Sequence, residues 1–176
     1  AATKAISVGG TLTSNTANVK VDAGTSYTQT GDILAATNVE TTSVSATSIT
    51  GKVVATNGAV TLSSTTDALS VDGEVKGNSQ VALTAAKAIS VGGTLTSTSD
   101  KVKVTAGGAY TQDGTVTAAT DVTTSSGAAT SITGNVTSGG TVNLTSQDDL
   151  GVTGLVTGQG QVKLAATKTR LETLRE

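Results

Sequence analysis

The 176-residue chain has no cysteine, histidine, methionine, tryptophan, phenylalanine or proline. Each absence closes a class of function. Without cysteine there is no disulfide framework and no thiolate metal site. Without histidine as well, most nucleophile triads and metal-ligand clusters cannot be built. Aromatic residues are limited to Tyr27 and Tyr110. Charge is also scarce, with 11 basic and 13 acidic residues for a net of −2. No basic stripe exists to neutralise phosphates, so nucleic acid is not an expected partner. No apolar run approaches the roughly 20 residues of a membrane-spanning helix, so no membrane span is expected. No P-loop or dinucleotide fingerprint is found. The opening stretch AATKAISVGG lacks the basic start and apolar run of a signal peptide, so the chain reads as a mature segment or a piece of something longer.

What remains is glycine, serine and threonine around aliphatic residues held in a strict register. Disordered chains are short of β-branched apolar residues and carry high net charge; this one does neither. A glycine column runs Gly10, Gly31, Gly51, Gly73, Gly93, Gly114, Gly134 and Gly154, in steps of 21, 20, 22, 20, 21, 20 and 20 residues. A valine column runs in phase: Val19, Val39, Val60, Val81, Val102, Val122, Val142 and Val162. Self-similarity at this period marks one small unit stacked eight times.

Within each unit apolar residues alternate with polar ones, the period-2 pattern of a strand with one buried face. The fillers are β-branched or small, which suits strands and disfavours helices. The first unit is expected to hold strands at Ile6–Val8, Thr11–Thr13 and Val19–Val21. Three such strands cannot bury their inner face alone; layers stacked about 4.8 Å apart pair each strand with its copies above and below. The expected fold is therefore all-β: a single-stranded parallel β-helix, or β-solenoid, of about eight rungs over residues 1–167. Glycine at the corner is expected to serve a bend with φ > 0. A further small column (Ala23, Ser43, Ser64, Ala85, Ala106, Ser126, Ser146, Ala166) fits where a second corner narrows.

A longer period lies over the short one. Tyr27 and Tyr110 stand 83 residues apart, Gln29 recurs as Gln112, Thr41 as Thr124 and Thr47 as Thr130, and ISVGGTLTS at 6–14 returns at 89–97. The rod thus reads as two four-rung blocks, about 1–84 and 85–167. Residues 168–176 break the pattern: continuing it would put Arg170 and Glu172 in inward columns. The spacing of Leu171 and Leu174 is helix-like, which suits a cap over the last strand edges or a junction.

The unit I-x-V-x-G-x-L … V-x-V-x-A over residues 2–166 resembles the repeats of filamentous haemagglutinin-type exoproteins, the large adhesins that Gram-negative bacteria export by two-partner secretion. The resemblance implies a right-handed, roughly triangular parallel β-helix at the bacterial cell surface or outside the cell. It implies a structural shaft that projects a distal module, with host or cell-surface glycans or proteins contacted by other modules. The amino-terminal secretion domain of that family is not among these residues.

Three candidate sites compete with this bland structural reading. Tyr27 and Tyr110 share a column and could stack on a glycan, although Ile6, Leu69 and Ile89 hold that column elsewhere and favour inward rings. Asp67, Asp72, Asp148 and Asp149 are the candidate acids for a calcium contact or for the groove chemistry of β-helical pectate lyases, but no basic or histidine partner is evident beside them. Threonine ranks on a flat face could bind ice, yet Thr11 and Thr13 give way to Asp32 and Leu34, then Lys52 and Val54, so a regular Thr-x-Thr ladder is not expected. No catalytic, cofactor-binding or metal-binding residue is assigned, and no enzyme activity is expected. The other expectation is a filament subunit that self-associates end to end.

Overall fold

Period-2 alternation across three short segments per repeat leaves the chain one way to bury its aliphatic residues, which is to wind them around a common axis. A computed structural model, describing residues 3–168, has that form: an all-β solenoid of eight rungs in three parallel sheets, with no helix. The first rung contributes Ile6–Val8 to sheet 1, Leu12–Ser14 to sheet 2 and Val19–Ala23 to sheet 3. Each later rung repeats that order, so each sheet has eight strands in sequential order along the rod. Strands pair only with their counterparts one rung away, all parallel. Val81, for example, lies between Val60 and Val102. Backbone hydrogen bonds continue between rungs through the corners, as in Gly93 N–H to the Val71 carbonyl at 3.1 Å.

Every inward column is therefore continuous. Val39, Val60, Val81, Val102, Val122 and Val142 are buried, each worth roughly 1.5–3 kcal/mol of transfer free energy. Val19 and Val162, in the first and last rungs, have a neighbour on one side only and remain partly or largely exposed.

The second strand lies one residue later than expected in the first rung, at Leu12–Ser14. Its last position is an inward column of small residues that the alternation did not single out: Ser14, Ala35, Ala55, Gly77, Ser97, Ala118, Ser138 and Gly158. The third strand runs on to the other small column, buried from Ala23 to Ser146.

The corner glycines do not serve a positive φ; no glycine among the described residues has one. What they supply is close approach. A Cβ built on Gly93 would overlap the carbonyl oxygen of Gly73 one rung below and stand 2.7 Å from the Asp72 carbonyl carbon. Gly31, Gly51, Gly73, Gly114, Gly134 and Gly154 meet the preceding corner in the same way, whereas a Cβ on Gly10 meets nothing within 4 Å. The column is glycine because corner backbone stacks directly on corner backbone, at distances that leave no room for a methyl group.

Candidate functional site

The two tyrosines mark the most distinctive chemistry, and it faces inward. Both rings are 1% exposed, in sheet 1 of the second and sixth rungs. Tyr27 Oη donates to Gln29 Oε1 at 3.1 Å, and Gln29 Nε2 donates to the carbonyls of Gly31 at 2.9 Å and Lys52 at 3.1 Å. The sixth rung repeats the set: Tyr110 Oη to Gln112 Oε1 at 3.1 Å, and Gln112 Nε2 to Gly114 and Asn135 carbonyls at 3.1 and 3.2 Å. Each phenol is thereby bonded inside the rod, and the amide ties sheet 1 to the corner of its own rung and the next. Burial pushes the Tyr27 phenol up to about 12 and raises that of Tyr110 as well. The inward placement that the column of Ile6, Leu69 and Ile89 favoured is the one observed, and the candidate glycan contact at Tyr27 and Tyr110 has no support: neither ring offers solvent a face on which a sugar could stack.

Hydroxyls extend the same polar seam. Ser43 Oγ and Ser64 Oγ both donate to the Ser45 carbonyl at 2.6 Å, and Ser43 lies 2.6 Å from Thr47 Oγ1. In the other block Ser126 and Ser146 both donate to the Ala128 carbonyl at 2.7 Å, with Thr130 Oγ1 2.6 Å from Ser126. Apart from Thr41 and Thr124, the departures from aliphatic columns that define the long period are thus buried hydrogen-bonded groups, a Tyr–Gln set and a Ser–Thr set, each made twice.

The acidic candidates are surface groups with structural partners. Asp67 Oδ1 sits 3.1 Å from Lys87 Nζ and accepts from Ala68 N–H at 2.9 Å. The Lys87 hydrogen bond, then the backbone amide, hold its carboxyl below the usual range. Asp148 pairs with Lys168 at 3.4 Å, the same contact one block later. The expectation that no basic partner accompanies these acids is corrected for Asp67 and Asp148: each partner lies 20 residues on in sequence, a full circuit later. Asp72 accepts from Ser70 Oγ at 3.1 Å, while Asp149 supplies its backbone carbonyl to Thr130 N–H. Rung-to-rung pairing recurs at Lys20–Glu40 and Lys52–Glu74, at 3.2 and 3.1 Å. Among the described residues no three acidic side chains gather as a metal site would require.

Outward positions carry mostly small and polar groups. On sheet 2 the outward column is Thr13, Leu34, Val54 and Lys76 in the first block but Thr96, Thr117, Thr137 and Thr157 in the second. Threonine thus fills one column through the second block, but a second threonine stands beside it there only at Thr94 and Thr115, so no regular Thr-x-Thr ladder forms along the rod. A shallow depression of about 320 Å³ between sheets 2 and 3 is lined by Thr13, Leu34, Ala35, Thr56 and Asn57, without a charged group. The tail reading at Arg170, Leu171, Glu172 and Leu174 lies outside the described residues. No helix among the described residues is long and apolar enough to cross a membrane.

Comparison with protein-family models, with curated proteins and with solved structures finds no match.

Proposed function

We propose that this chain is a shaft segment of a bacterial surface-exposed or secreted adhesin of the filamentous haemagglutinin type, whose work is to hold a binding or effector module away from the cell. The observation that carries this reading is the unbroken parallel stacking of eight rungs around one aliphatic core. Such a rod is stiff because bending it must stretch three ladders of backbone hydrogen bonds together. At about 4.8 Å per rung it adds roughly 40 Å of reach. Among the described residues the outward side chains are mostly polar and bring no three acidic groups together, as suits a spacer. Function on this reading belongs to the glycine and valine columns, from Gly10 and Val19 to Gly154 and Val162, and to no single reactive group.

Immunogold labelling of the producing bacterium, with antibody raised against this chain, tests the proposal. Label on the outer surface or on shed fibres is expected, and label confined to the cell interior overturns it. A glycan array adds a second check. A shaft leaves the array blank, whereas sugar binding by the isolated chain reassigns it as a binding β-helix.

A further inference from the structure

We infer that the two ends of the rod are complementary faces, and that a second copy of this chain stacks head to tail on the first. The incoming first rung would repeat on the eighth rung the contact that the fifth rung already makes on the fourth. This inference stands apart from the shaft reading, since a shaft whose isolated rods stay single is still a shaft.

The inward residues at the two ends carry the argument. Leu69, Val71, Val75, Val81, Leu83 and Ala85 of the fourth rung recur as Leu150, Val152, Val156, Val162, Leu164 and Ala166 of the eighth, without a substitution. Ile89, Val91, Leu95, Val102, Val104 and Ala106 of the fifth recur as Ile6, Val8, Leu12, Val19, Val21 and Ala23 of the first, again unchanged. Inside the molecule these two sets are partners in register: Leu69 with Ile89, Val75 with Leu95, Val81 with Val102 and Leu83 with Val104. The packing that seals Leu83 to 0% exposure therefore has its equivalent half at Leu164, which is 50% exposed, and its other half at the opposite end of the rod. Among the described residues both ends also leave the outer edges of all three sheets without a further strand. Every strand runs parallel to its neighbours, so only a head-to-tail approach continues the pairing; such a heterologous contact generates open filaments.

The corner charge follows the same logic. Asp67 and Lys87 bridge the fourth and fifth rungs at 3.1 Å, and their equivalents across a stacked pair are Asp148 and the incoming Lys4. Asp148 now holds Lys168, which follows Ala-Ala-Thr as Lys4 does. Stacking exchanges one lysine for its counterpart at that carboxylate. The outward strand columns take no part: Leu155, 67% exposed, replaces Glu74 of the fourth rung.

Sedimentation velocity and negative-stain microscopy of the full chain test this directly. Rods in multiples of roughly 40 Å, lengthening with concentration, are expected. Leu164→Asp at one end and Leu12→Asp at the other should each weaken association by about 10-fold or more. Circular dichroism should show both variants folded, since each site already touches solvent. Mixed together, these two variants retain one intact face of each kind and should form pairs but nothing longer. Leu155→Glu, which restores the fourth-rung residue, should leave association within about 3-fold, because it lies off the inward columns. A full chain that stays monomeric up to its solubility limit overturns the inference. So does association that survives Leu164→Asp, association that Leu155→Glu abolishes, or a folded mixture that yields no pairs.

Discussion

Thr41 and Thr124 occupy equivalent inward positions on sheet 3, and each turns a buried Oγ1 into surroundings that give it no hydrogen bond. Four rungs carry leucine in that column and two carry valine, so the site accommodates a branched aliphatic side chain. Their neighbours in the seam are satisfied: Ser43, Ser64, Thr47, Tyr27 and Gln29 all bond. A buried hydroxyl without a partner costs on the order of 1–3 kcal/mol relative to an apolar group of the same shape. Thr41→Val and Thr124→Val, which keep shape and drop the hydroxyl, are therefore expected to stabilise the rod by about 1 kcal/mol each. Because the sites are four rungs apart with no shared partner, the gains should add. Denaturant melts of the single and double variants measure this, and a loss of stability in either single variant would contradict the assignment.

At the scale of the element, the corner decides what a rung tolerates. Gly93→Ala drives a methyl group into the Gly73 carbonyl, and both are backbone, so neither can swing aside. A loss of several kcal/mol is expected, at the upper end of overpacking costs of about 1–3 kcal/mol or beyond. Gly10→Ala meets open space and should change stability by less than about 0.5 kcal/mol. Had positive φ been the reason for glycine, both substitutions would be costly, so the pair of melts separates the two explanations. The strands themselves were legible because alternation specifies which side chains go inward, and stacking leaves them no second option. The reason for the corner was not, because φ and close approach select the same residue. The small column ending the second strand escaped notice since Ser14, Ala35 and Gly77 look like the fillers around them. The Asp67–Lys87 pair was hidden for a different reason: its members are adjacent only after a full circuit of the chain. Tyr27 and Tyr110 could be placed inward from their column, but nothing local in sequence marks Gln29 and Gln112 as the groups that bond their phenols.

For the whole molecule the two buried tyrosines make alkaline pH a probe of the stacked core. A solenoid rung touches only the rungs beside it, so the sixth and second rungs each hold their neighbours in the array. The Tyr27 phenol is raised from 10.0 to about 12, and Tyr110 is raised too, both by burial. Below pH 10 the folded and unfolded chains keep these protons and the phenols contribute no pH dependence. Above it the unfolded chain releases them first, binds fewer protons than the folded one, and stability falls as pH climbs toward the folded value of about 12. A Tyr27→Phe, Tyr110→Phe double variant keeps every lysine and removes only the phenols, so the comparison isolates the tyrosine contribution. The variant should start less stable at neutral pH, having left Gln29 and Gln112 Oε1 without their donors, at about 1 kcal/mol each. The gap between the two proteins should then narrow between pH 10 and about 12. Parallel stability curves across that interval would mean the phenols titrate as freely in the folded rod as in the unfolded chain, which is incompatible with rings sealed between rungs.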